Sequence, residues 1–110
     1  MKITKIKKKM IVALAEEFSE YELEPVLTME FDIFVYNYKN HGYEGSGFAV
    51  WKKGKDFFYH ELGHCSCNGP TEGIKSSANV PLKLAEIGKI AEKSYGEGAK
   101  ETVVEMAKRV

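Results

Sequence analysis

From Lys2 to about Tyr21 the apolar residues Ile3, Ile6, Met10, Ala13, Leu14, Phe18 and Tyr21 recur at three- and four-residue steps. That spacing predicts one stripe of an amphipathic helix. Pro25 closes the segment, because the residue before a proline is pushed away from helical backbone angles. From Met29 the period changes to two. Met29, Phe31, Ile33 and Val35 fall on one face, and Glu30, Asp32, Phe34, Tyr36 and Tyr38 on the other. The pattern predicts a strand from about Leu27 to Lys39. Its second face turns from acidic to aromatic midway, which implies that something covers the later half. The glycines and Asn of Asn40-His41-Gly42-Tyr43-Glu44-Gly45-Ser46-Gly47 read as a loop. A second strand, Phe48 to Lys52, a turn at Lys53-Gly54-Lys55 and a third extended run from Asp56 complete an antiparallel meander.

Past Pro70, the polar stretch from Thr71 to Asn79 has no clear period. Asn79 suits a helix cap, with Pro81 early in the helix that follows. Leu84, Ile87, Ala91 and Tyr95 form its buried stripe and Gly96 stops it. A second helix, Ala99 to Val110, carries Val103, Met106, Ala107 and Val110 on one side, so the two should pack as a helical hairpin. The expected architecture is a single α+β domain over residues 1–110: an N-terminal helix, a three-stranded antiparallel meander and a C-terminal helical hairpin.

Composition narrows the functional classes. A chain of 110 residues with zero formal net charge offers one modest core and no global basicity for nucleic acid. No apolar run approaches the roughly 20 residues of a membrane helix. The short run Ile11-Val12-Ala13-Leu14-Ala15 leads straight into Glu16-Glu17, with no signal-cleavage pattern, so the expectation is a cytoplasmic protein without a membrane partner. Charge is unevenly placed along the predicted first helix. Lys2, Lys5, Lys7, Lys8 and Lys9 crowd its start, and Glu16, Glu17, Glu20, Glu22 and Glu24 its end. That order opposes a helix dipole by about 0.3–1 kcal/mol per terminal charge. It reads either as two solvated faces or as a bipolar docking surface, with Lys5, Lys8 and Lys9 as candidate contacts. The lysines lack interleaved aromatics and arginine, so nucleic acid fits poorly.

The candidate chemistry sits in Phe57–Pro70, which contains a literal H-E-x-x-H, His60-Glu61-Leu62-Gly63-His64. On a helix, His60 and His64 would share one face and one Zn²⁺ while Glu61 polarised the bound water, the arrangement of zinc peptidases. Extended versions of that motif continue with a Gly and a third His; here those positions hold Cys67 and Pro70. A third ligand would have to come from Glu86 or Glu92, and nothing selects either. On a strand, the two histidines lie about 13 Å apart at ~3.3 Å per residue and Glu61 points the other way. Phe57-Phe58-Tyr59 and the Lys53-Gly54-Lys55 turn favour the strand. Two cysteines separated by one residue are no disulfide framework. His64, Cys65 and Cys67, with His41 as a fourth ligand, would hold zinc if a turn made them converge. The simpler reading buries both thiols as small hydrophobes. A catalytic cysteine with His64 as base would need a bulge, since adjacent residues on a strand point oppositely. No cofactor is assigned; zinc is the metal either cluster would take.

Tyr43-Glu44-Gly45-Ser46-Gly47-Phe48, the Lys-Gly-Lys turn and Gly63-His64-Cys65-Ser66-Cys67-Asn68-Gly69-Pro70 together resemble a block in small proteins of bacteriophages and their hosts. Residues 43 to 74 carry the resemblance, and Asn68 departs from it, an aromatic being more usual there. The block requires neither His60 nor Glu61. The resemblance implies a phage or mobile-element accessory protein that binds a host protein, such as a defence component it inhibits, rather than an enzyme. The alternative is a small zinc-dependent hydrolase using His60, Glu61 and His64.

Overall fold

Met10-Ile11-Val12-Ala13 is apolar without a break, and in the computed structural model it forms a strand covered on both faces, not part of a helix. The structure describes residues 1–42, 44–63, 69–94 and 98–110. Five strands, β1 (Lys2–Ile6), β2 (Lys9–Ala13), β3 (Ile33–Asn40), β4 (Gly45–Lys53) and β5 (Asp56–Glu61), form one sheet in the order β1-β2-β3-β4-β5. All neighbours are antiparallel except β2 and β3, which run parallel. Helix α1 (Glu20–Leu27) makes the crossover between them, as a parallel pair demands. After β5 come α2 (Ile74–Ser77), α3 (Leu84–Lys93) and α4 (Ala99–Arg109).

The α+β class stands, but the N-terminal helix and the three-stranded meander do not. The residues that fit a helical stripe from Lys2 to Tyr21 belong to a hairpin, a loop and the start of α1. Lys7, with φ of 57°, turns the hairpin over two residues between Ile6 and Lys9. A strand buried on both faces is apolar at consecutive positions, so its own period disappears and a helical one can be drawn through it. Pro25 lies inside α1 rather than ending a longer helix. Helix α1 starts at Ser19, whose hydroxyl accepts from the Glu22 N–H while the Glu22 carboxylate accepts from the Ser19 N–H, a capping box.

Three boundaries also move. Leu27 ends α1, and Met29 and Phe31 enter the core from the connection, so the strand begins only at Ile33. Gly45 to Gly47 are strand, not loop: they pair with Tyr38 to Asn40. A side chain at Gly47 would run into the Asn37 carbonyl, so the close approach needs glycine. Asn79 caps no helix; α3 begins after Lys83, because Leu82 pairs with Phe57 on the outer edge of β5. Residues 74–77 of the polar connection form α2.

Hydrophobic cores lie on both sides of the sheet. On one side Phe34 and Tyr36 of β3, Trp51 of β4 and Phe58 and Leu62 at β5 pack with Phe18, Val26 of α1 and Ile74 of α2. This face is aromatic: Phe34 stacks on Trp51 at 5.5 Å, Trp51 on Phe58 at 5.8 Å and Phe18 on Tyr36 at 4.2 Å between centroids. The Tyr36 hydroxyl accepts from the Phe18 N–H at 2.9 Å. The aromatic later half of β3's second face is indeed covered, by Phe18 and the elements around it. On the other side Val12, Val35, Phe48 and Val50 meet Ile87 and Ala91 of α3 and Ala99 and Met106 of α4. No helix among the described residues is long and apolar enough to cross a membrane.

Candidate functional site

Residues 57–61 of the H-E-x-x-H region are strand. Asp56 to Glu61 pair with Lys53 back to Phe48 across the Gly54-Lys55 turn, so successive side chains alternate between faces. Phe58 and Leu62 are buried in the aromatic core, and His60 stands between them on that side, half-buried. Its Nδ1 lies 2.9 Å from Ser77 Oγ at the end of α2, and a hydrogen bond to the Glu72 backbone engages the ring further. Burial pushes the His60 pKa below its ordinary value, only partly offset by the Glu72 backbone and the charge of Glu61. The imidazole is therefore neutral at pH 7.

Glu61 projects to the opposite face, is exposed, and accepts from the Ser94 hydroxyl at 3.2 Å just past α3. A water polarised by Glu61 would not face a metal held by His60. The Glu86 carboxylate, one candidate third ligand, accepts from the Lys83 N–H at 3.2 Å and closes the start of α3. Glu92 lies near the end of α3. His41 is exposed in the β3–β4 turn, its N–H donating to the Glu44 carbonyl. His64, Cys65 and Cys67 lie outside the described residues. Among the described residues no three His, Cys, Asp or Glu side chains gather as a metal site.

A shallow cleft of about 450 Å³ opens beside β5, lined by Tyr59, His60, Glu61, Ser77 and Val80. Ser77 is the residue that sequence reasoning missed. It lies 17 positions from His60 in a segment without periodicity, and only the docking of α2 on β5 joins them. Asn37 is a second omission. It is buried under α4, gives its Nδ2 to the Glu101 carboxylate at 3.1 Å, and packs so tightly on Gly98 that no Cβ fits there.

The five early lysines occupy the β1–β2 hairpin at the other end of the sheet, not a helix. Lys9 is engaged inside the fold: Nζ donates to the Met29 carbonyl at 2.6 Å and the Leu27 carbonyl at 3.4 Å, and sits 5.1 Å from the Phe31 ring centroid. A cation at the C-terminal end of α1, with Glu20 and Glu22 in its first turn, agrees with the helix dipole. The opposition of charge and dipole expected from the sequence is thus reversed. Lys2 pairs with Glu17 at 2.9 Å. Lys5, Lys7 and Lys8 are exposed and form no ion pair among the described residues.

No protein-family model matches this chain, and no curated protein or solved structure matches it.

Proposed function

We propose that this chain is a small accessory protein of a phage or mobile element that acts by binding a host protein, a defence component being the target class its setting suggests. The resemblance over residues 43–74 supports the setting. The observation that carries the binding reading is the basic hairpin, where Lys5, Lys7 and Lys8 stand exposed without an ion pair among the described residues. Lys2 and Lys9 meet internal demands of the fold; these three do not. Such a concentration of one sign at one end of a neutral molecule steers and selects partners of the other sign. The hydrolase alternative draws less support, because His60 and Glu61 face opposite sides of β5, each tied to its own serine.

A binder saturates with its partner and needs no turnover. The effect of the protein on its host should therefore plateau near one chain per target. Lys5→Glu with Lys8→Glu should weaken association while leaving melting unchanged. Lys9 is excluded from this pair because it supports α1. Glu61→Gln and His60→Asn are the controls. Loss of the host effect in Glu61→Gln, with the lysine reversals inert, would overturn the binding reading in favour of an enzyme.

A further inference from the structure

The sheet ends differently on its two sides. Beside β5, Phe57 donates to the Leu82 carbonyl at 3.2 Å and accepts from the Leu82 N–H at 2.8 Å, so that edge is partly closed by its own chain. On β2, Met10 N–H donates to Asp32 O at 3.0 Å and Leu14 N–H to Tyr36 O at 2.9 Å, so even-numbered residues turn toward β3. Lys9, Ile11 and Ala13 then turn toward β1, where their partners are Ile6, Thr4 and Lys2. Ile3 and Lys5 are left with N–H and C=O directed away from the sheet.

We propose that this edge of β1, which no described strand pairs, takes an acidic, extended segment of a protein partner as a sixth strand, a reading that rests on the binding function above. Strand addition draws affinity from the unpaired main-chain groups and specificity from the side chains beside them. Those side chains are lysines interrupted by apolar positions: Ile3 is 43% and Ile6 37% exposed, and no acidic residue occurs before Glu16. A second copy is a poor occupant: β1 carries Lys2 and Lys5, and Lys7 and Lys8 follow in its turn, so a pairing copy would bring more positive charge and no carboxylate from its own hairpin to the seam. Lys5 beside Ile3 on one face and Lys2 beside Ile6 on the other favour a strand that offers both acidic and apolar residues.

The test uses a short blocked peptide alternating Glu and Val, with a Lys-Val peptide as counterpart, read by fluorescence anisotropy and by amide exchange. The acidic peptide should bind saturably at one per chain, weaken with salt, and slow exchange at Ile3 and Lys5 about tenfold or more. Ile3→Pro removes an outward N–H without touching the β2 ladder, as an edge strand tolerates. It should cost about tenfold or more in peptide affinity with unchanged melting, whereas Thr4→Pro should lower melting. Equal binding of the lysine peptide, acidic-peptide binding indifferent to Ile3→Pro, or dimerisation that Ile3→Pro abolishes would each overturn the proposal. If lysine reversal abolishes host-protein binding and Ile3→Pro does not, strand addition is wrong and the binding function stands. If neither change affects host-protein binding, both fail.

Discussion

At the β5 end of the sheet, polar groups are tied inward: His60 to Ser77 and the Glu72 backbone, Glu61 to Ser94, Phe57 to Leu82, while Phe58 and Leu62 fill the aromatic core. At the β1 end the outer strand leaves Ile3 and Lys5 exposed, and among the described residues Lys2 is paired, with Glu17, while Lys5 forms no ion pair. The conspicuous motif therefore lies where residues hold elements together, and the plain lysines lie where the fold asks little of them. A short motif draws the eye to chemistry, yet burial and partners show which residues have another employment.

The two ends should answer substitution differently. The largest effect should come from the β5 end: Phe58→Ala opens a cavity under Trp51 and should cost about 3–5 kcal/mol in denaturant unfolding, against at most about 0.5 for Ile3→Ala. Equal losses would erase the difference between the ends. Next, Lys9→Ala removes a charged donor from the Leu27 and Met29 carbonyls and should cost about 1.5–3 kcal/mol, while Lys5→Ala should stay within about 0.5. A lysine hairpin whose members behave alike would contradict the distinction drawn between Lys9 and its neighbours.

Ser77→Ala should cost about 1 kcal/mol by releasing α2 from His60. His60 adds a pH dependence of stated sign. Its folded pKa lies below the ordinary 6.5, so the unfolded chain binds the proton first as pH falls. Its contribution to stability is complete above about pH 6.5 and declines as pH drops below that value. Unfolding midpoints measured across that window for wild type and His60→Gln should converge at the acid end, and a decline unchanged in His60→Gln would assign it elsewhere. The smallest effect is expected for Glu61→Gln, within about 0.5 kcal/mol, because its carboxylate is exposed and its one serine contact survives as an amide.

Much of the sheet's second half was written in local pattern. Period-two alternation through Phe34, Tyr36 and Tyr38 marks β3, and the Lys53-Gly54-Lys55 turn with the aromatic run at Phe57 determines the β4–β5 hairpin. They also determine that His60 and Glu61 face apart. The helices Leu84–Lys93 and Ala99–Arg109 were legible too, although the second buries Ala99, Thr102 and Met106 and leaves Ala107 and Val110 exposed. The first third depends on packing between distant segments. Met10 to Ala13 is sandwiched between two layers and two strands, so every position is apolar and no period distinguishes strand from helix. The roles of the candidate residues depended on the same long-range packing. Ser77 reaches His60 because α2 docks on β5, and Lys9 meets the end of α1 because the crossover returns the chain beside β2. Local sequence encodes which faces are apolar; which partner satisfies a lysine or an imidazole is settled when distant segments close the cores.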